Sequence, residues 1–394
     1  MNLGSITTNL RLGLREIEKT IYNNLLKHSF WGNFDSGVIA IFLSFYLWDK
    51  TENMFTVAIA FTIPIIINTV IDYYFSDLSD RSSRVKLIII GNIGSALFLS
   101  FYGLAKNIYL LYGFIFFKSL FAKLYQSSLE PYVREAIREN AYQDFLAKEN
   151  LKISVGASVG GFALMFLYIY TESIPLVFIV SGLIELFSTI YLLRLENILV
   201  EKRKEKEEPL DLNRLKNITW LYTIKALAIA LITNRMIIFL HEQYQVKIQD
   251  IGLIFFLVYG ISNIVAARIY TLFKRIPLKI MFILSLLLQA ILLAFFTQVE
   301  ELKIIIAIWF SYELTSSVTE IYARDRINRS LFTGIGKRLS KFRISLALGS
   351  ILGQLAVSQI WERIGVNESF CFSSIVLALL ALMITFKKTG DHQL

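Results

Sequence analysis

The chain has 394 residues, of which 55% are hydrophobic, 14% aromatic and 18% charged, where an average soluble protein carries about 25% charged residues. That composition excludes a soluble globular enzyme, and the single cysteine, Cys371, excludes an internal disulfide or a thiolate metal cluster. The formal net charge of +9 would point to nucleic acid only if the bases lay together, so their placement has to be read first.

Residues 1–29 carry Leu10, Leu14, Ile17, Ile21 and Leu25 at helical spacing, with Arg11, Arg15, Lys19 and Lys27 on other faces. The pattern predicts a helix lying on the membrane surface. There is no short apolar core followed by a small-residue cleavage site, so this segment is expected to be retained. Apolar runs then recur at 30–48, 54–75, 86–105, 108–132, 150–170 and 174–194, and again at 217–240, 250–271, 278–298, 303–323, 342–361 and 367–386. Each run is about the 20 residues needed to span a bilayer as a helix. The segment between the two sets holds E-K-R-K-E-K-E-E-P, which cannot bury apolar surface. The expected fold class is therefore an all-α polytopic membrane protein with twelve transmembrane helices in two six-helix bundles. The bundles are expected over 30–195 and 217–387, with an N-terminal segment 1–29, a charged linker 196–216 and a tail 388–394.

Lys and Arg set the orientation, because segments kept in the cytoplasm carry the excess. With the N-terminus inside, 31 of the 40 bases fall in inner segments; the outer loops hold Lys50, Lys106, Lys247, Lys303 and Arg363. Both termini are thus expected in the cytoplasm, and the net charge is explained without nucleic acid. The halves also echo each other: Glu130, Tyr132, Arg134 and Glu135 align with Glu320, Tyr322, Arg324 and Asp325, and Lys152-Ile153-Ser154 with Arg343-Ile344-Ser345. Two such matches in register predict a duplicated six-span unit.

Among the charges inside the apolar runs eight stand out: Asp35, Lys118, Lys123, Glu185, Lys225, Arg235, Glu313 and Glu320. A charge at the bilayer centre costs about 2.5–3.5 kcal/mol on insertion scales, so such groups face a cavity or a partner. Seven of the eight lie on spans 1, 4, 7 and 10; Glu185, on span 6, stands apart. Asp35, Lys118, Arg235 and Glu313 are expected close enough to pair in changing combinations, the alternative being fixed ion pairs that only hold helices together. Asp35, Glu313 and Glu320 are the candidates for carrying a proton. Phe34, Lys118, Lys225, Asn234, Arg235 and Tyr312 are the candidates for lining a substrate cavity.

Between spans 2 and 3 the chain reads S-D-L-S-D-R-S-S-R-V-K over Ser76 to Lys86. This resembles the G-x-L-a-D-R-x-G-R-K signature of the major facilitator superfamily, with Leu78, Asp80, Arg81 and Arg84 at matching positions and serines for both glycines. The small-residue run Gly156-Ala157-Ser158-Val159-Gly160-Gly161 is similar to the end of that family's antiporter pattern, although such a run also serves plain helix packing. The segment from Leu129 to Gly161 resembles the drug and siderophore exporter branch that includes macrolide efflux proteins.

The resemblance implies that spans 1, 4, 7 and 10 line a central cavity. It also implies a gating role for Asp80, Arg81 and Arg84, with Asp80 reaching a partner among Lys337, Arg338, Lys341 and Arg343. The expected function is secondary transport, as a proton-coupled exporter of an amphipathic compound such as an antibiotic, siderophore or peptide. An importer of a small anionic metabolite, a membrane receptor and a lipid flippase stay open as alternatives. No cofactor or metal is expected, and the protein is expected to be no enzyme but a monomer in the bacterial cell membrane. Its expected partners are a small-molecule substrate, protons and the lipid bilayer, without nucleic acid.

Overall fold

The computed structural model describes residues 18–74, 83–137, 139–196, 220, 223–227, 229–230, 235–273, 276–330 and 335–386. Its elements are α1 (Glu18–Thr51), α2 (Met54–Tyr74), α3 (Arg84–Tyr102), α4 (Ile108–Ala136), α5 (Glu139–Thr171) and α6 (Ile174–Leu192). Then follow α7 (Met236–Tyr244), α8 (248–273), α9 (Leu278–Phe296), α10 (Leu302–Ser330), α11 (Ile335–Arg363) and α12 (Val366–Phe386). Among the described residues ten helices are long and apolar enough to cross a membrane, and every regular element is helical. A membrane-spanning helix satisfies its own backbone, which is why apolar runs of this length leave no other choice.

α4 continues past its apolar run to Ala136 and α5 begins at Glu139, so both extend well beyond the expected spans; α10 and α11 do the same. The extensions fall where the charged segments begin, since water there hydrates charged side chains while the helix keeps its backbone bonds. Asn107 caps α4 by accepting from the Leu110 amide at 2.8 Å, and Ser173 caps α6 by accepting from the Leu176 amide.

α1 differs from expectation at its start. Over residues 18–29 the apolar stripe expected to face lipid packs against the protein: Ile21 and Leu25 are buried with Val85, Ile88, Tyr132, Val133, Phe145 and Leu192, from α3 to α6. Tyr22 sets its ring edge-on to Phe145 and donates to Asp144 at 2.8 Å. The same stripe that suits a bilayer interface suits a protein groove, and here four helix ends supply the groove. Residues 1–17, the linker beyond Glu196, and Asp80 and Arg81 lie outside the described residues.

Within the first half α1 packs on α5 and α6, α3 on α4 and α6, and α2 on α4; within the second, α9 packs on α10 and α12, α8 on α10, and α11 on α12. The halves meet along α2 with α11 and along α5 with α8. Those two contacts exchange under a rotation that takes each helix to its counterpart six places on, the relation a duplicated unit produces.

Backbone landmarks give the register of that duplication. Among the described residues four have positive φ: Glu52 (47°) and Glu172 (50°) in the first half, Gln245 (51°) and Gly365 (141°) in the second. Gln245 and Gly365 each follow their first-half counterpart by 193 residues. The same offset relates two close helix approaches. A Cβ on Gly156 would overlap the Phe30 carbonyl oxygen and one on Gly160 the Phe34 backbone; one on Gly349 would overlap the Thr223 carbonyl oxygen and one on Gly353 that of Leu227. The residue-type matches near Glu130 and Lys152 place the offset two or three residues lower, because they align similar side chains rather than equivalent contacts.

Candidate functional site

The site is built where α1, α4 and α6 converge. α1 breaks its regular helix at residues 32–33 and restarts at Phe34, which carries Asp35 into the protein interior. Gly37, Gly156 and Gly160 allow α5 to approach α1 closely enough to hold that turn in place: a Cβ on Gly37 would overlap the Ala157 carbonyl oxygen. The small-residue run of α5 thus performs helix packing, one of the two roles open to it from its sequence.

Lys118 of α4 donates to Asp35 Oδ2 at 2.8 Å, forming an ion pair whose two side chains are 12% and 10% exposed. Ser36 adds a longer contact to Asp35 Oδ1 at 3.4 Å. Glu185 of α6 is also buried and lies within the electrostatic reach of both Asp35 and Lys118. Its Oε2 is enclosed without a hydrogen-bond partner, as is the hydroxyl of Ser95 from α3, which lies beside it without a bond of ordinary geometry. His28, buried on α1, faces the Ser188 carbonyl at 3.3 Å and the Tyr125 ring, and it feels the charge of Asp35. Tyr102 of α3 completes the wall and is sensitive to all three charges.

The second half carries its charges apart. Arg235 donates to the Ala230 carbonyl and the Gln354 carbonyl, both at 2.7 Å, and its Nε is buried without a partner. It therefore clamps α7 to α11 through backbone oxygens instead of meeting a carboxylate. Glu313 accepts from the Trp309 indole one turn earlier on α10, at 3.3 Å. Lys225 is buried with its ammonium 5.4 Å from the centre of the Phe282 ring, and Glu320 acts on it electrostatically. The expected group of four thus divides: Asp35 and Lys118 meet, while Arg235 and Glu313 each have other partners.

Among the cavity candidates, Phe34 sits in an aromatic cluster, 5.2 Å from Trp31 and 5.5 Å from Phe30 by ring centres. Tyr312 is buried with its hydroxyl unpartnered. Asn234, Asp80 and Arg81 lie outside the described residues, as do the side chains of Lys337, Arg338, Lys341 and Arg343. Arg84 pairs with Glu135, tying the start of α3 to the end of α4. Glu185 is the member that sequence reasoning set aside. Its signal, a lone acid in an apolar run, was present; its nearness to Asp35 and Lys118 depends on which face of α6 turns inward. Among the described residues no group of three or more His, Cys, Asp or Glu side chains is placed to hold a metal ion.

Residues 30–324 match the family profile described as Major Facilitator Superfamily. The chain belongs to the Major Facilitator Superfamily. Members of this superfamily are transporters and not enzymes. Solved structures with the same fold include the nucleoside transporter NupG, in its D323A mutant, with a TM-score of 0.72 and 14% identity, covering 93% of this chain and 100% of that one. The human organic anion transporter MFSD10 (TETRAN) superposes with a TM-score of 0.69 at 12% identity, over 94% of this chain and 99% of its own. A bacterial homolog of the human lysosomal transporter Spinster, inward-facing and unoccupied, gives 0.70 at 10% identity, over 94% and 95%. No curated protein sequence gives a significant match. As a superfamily member the chain is a multi-pass membrane transporter of a small molecule.

Proposed function

We propose that this transporter is a proton-coupled exporter of an amphipathic small molecule, working by alternating access. Twelve spans in two six-helix bundles, 30–195 and 217–387, have both termini in the cytoplasm of a bacterial cell, and the protein acts as a monomer. The observation that carries the reading is the buried Asp35–Lys118 pair between α1 and α4. A fixed structural pair of this kind gives stability no better than a hydrophobic replacement. A pair that opens when Asp35 takes up a proton gives the transporter two states that a proton gradient can bias. The membrane potential contributes about 2.3 kcal/mol per charge per 100 mV, enough to tip an equilibrium between states a few kcal/mol apart.

The cross-half hydrogen bonds among the described residues support a state closed at the outer ends. The Trp48 indole donates to Glu242 at 2.9 Å, and the Phe55 amide donates to Glu362 at 3.1 Å. Glu313 and Glu320 are the further proton-handling candidates of the second half. Phe34, Lys118, Lys225, Asn234, Arg235 and Tyr312 are the cavity candidates, and Asp80, Arg81 and Arg84 form the inner gate. A second reading, uptake of a small organic anion, is favoured by Arg235 and Lys225, two buried cations whose described direct contacts are carbonyl oxygens and a ring face.

Inside-out vesicles energised by respiration and reporting pH by acridine orange quenching test the reading. Macrolides, siderophores and hydrophobic peptides of the exported class should dequench the dye, and Asp35→Asn should abolish that response while expression is kept. Dequenching that persists in Asp35→Asn would overturn the coupling role. Counterflow of labelled nucleosides or dicarboxylates, without response to any amphipathic compound, would replace export with anion or metabolite uptake.

A further inference from the structure

The group around Asp35 and Lys118 is not electrically balanced as a pair plus a bystander. Three ionisable side chains from three helices lie inside the protein within electrostatic reach of one another: Asp35 (7% exposed), Lys118, paired to it, and Glu185 (5% exposed). Two carboxyl groups and one ammonium would leave a net negative charge there. Among the described residues Lys118 is the cation that pairs with Asp35 and acts on Glu185. Facing the cluster are His28 from α1, Tyr102 from α3 and Tyr125 from α4, and Glu149 of α5 also acts on Tyr125. An uncompensated charge in a low-dielectric interior takes up or sheds a proton in preference to staying charged.

Geometry says where the proton resides. Asp35 has its cation at 2.8 Å and accepts from Ser36, as an ionised carboxylate does. Glu185 has no cation in contact, and its Oε2 is enclosed with no hydrogen-bond donor. The helices hold these groups rigidly, because Gly91 and Gly94 close α3 on α4 and Gly182 closes α6 on α3. Asn92 reinforces that arrangement by donating to Thr189 Oγ1 at 2.9 Å and to the Glu185 carbonyl. Lys118, on a flexible four-carbon stem, is the member free to change partner.

We infer that Glu185 holds the proton while Lys118 is engaged with Asp35, and that Asp35 holds one when Lys118 turns to Glu185. Each state is neutral and contains one carboxylic acid, one carboxylate and one ammonium. In the exchange the Glu185 O–H bond breaks and an O–H bond forms on Asp35, while Lys118 stays protonated throughout. No oxidant or further reactant is involved. The inference deepens the proposed proton coupling and rests on it for its place in transport, but the proton count of the cluster stands by itself.

Infrared spectroscopy of the purified full chain reconstituted in lipid, at neutral pH, reads protonated carboxyl groups directly through their carbonyl stretch. Relative to wild type, Glu185→Gln should lose one protonated carboxyl. Asp35→Asn should lose one as well, because Lys118 then ionises Glu185, whose side chain is still present. Lys118→Gln should gain one, since both acids become neutral. An unchanged spectrum in Glu185→Gln would overturn the protonation of Glu185. An unchanged spectrum in Asp35→Asn would show Glu185 to be a neutral acid indifferent to Lys118 and overturn the exchange. If Glu185→Gln does not give a monodisperse protein, the Asp35→Asn and Lys118→Gln spectra decide alone. The measurement needs neither substrate nor gradient. A protein that follows these counts but gives no dye response in vesicles refutes proton-coupled transport and leaves the cluster intact; the converse result refutes the cluster alone.

Discussion

The indole of Trp48, at the end of α1, donates a hydrogen bond of 2.9 Å to Glu242 at the end of α7, joining the two halves of the transporter. Phe45 and His241 stack edge-on immediately beneath, with ring centres 4.6 Å apart. A hydrogen bond to a charged acceptor contributes about 1.5–3 kcal/mol, comparable with the gap between conformers a few kcal/mol apart.

Replacing Trp48 by Phe keeps the ring contact and removes the donor. Spin labels on cysteines introduced at the exposed Lys50 and Lys247, in a Cys371→Ser background, report the separation of these ends. The variant should populate a longer distance roughly tenfold more than the parent. An unchanged distance distribution would mean that the bond does not bias the closed end.

The glycine approaches give a second expectation. Gly156→Ala and Gly349→Ala each place a methyl group onto a neighbouring carbonyl oxygen, and overpacking of this kind costs about 1–3 kcal/mol. Gly113 has open space around it, so Gly113→Ala should be neutral or gain up to about 1 kcal/mol in helix propensity. Thermal unfolding in detergent ranks the three; equal behaviour of Gly156 and Gly113 would contradict the close α1–α5 contact.

Arg235 offers a test of buried charge. Arg235→Met removes two hydrogen bonds but also the cost of burying a cation, whereas Arg235→Lys keeps the charge and cannot fork to both carbonyls. The lysine variant should therefore be the less stable of the two, by about 1–3 kcal/mol. Greater stability of the lysine variant would show that the charge has a partner beyond those carbonyls.

The start of α1 separates a helix packed in protein from one resting on lipid. Leu25 is 1% exposed, so Leu25→Ala should cost about 2–5 kcal/mol as a core cavity does. A loss below about 0.5 kcal/mol, typical of a surface position, would restore the membrane-surface reading for these residues.

Much of the transporter was legible in its residues. Apolar run length alone dictates helices in a bilayer, since the backbone has no other way to satisfy its polar groups. The charges at Asp35, Lys118 and Glu185 stood out because each costs free energy in an apolar run. The repeat was visible as well, though its register was not: Glu130 with Glu320 aligns residue types, whereas Glu52 with Gln245 aligns backbone turns.

Side-chain direction was the missing quantity. Ile21 and Leu25 show the same periodicity whether a membrane or four helix ends receive them, so only the packing of α3 to α6 placed them inside. Arg235 and Glu313 were grouped with Asp35 because all are charged and deep, yet helix rotation sends Arg235 to two carbonyl oxygens and Glu313 to Trp309. For Glu185 the reverse holds: one residue's rotation on α6 turns a lone acid into the third member of a buried cluster. The sequence by itself determined the helices, their order and the presence of charges that must be compensated. The tertiary structure decided which charges compensate one another, because that depends on ångström-scale contacts between helices distant in sequence.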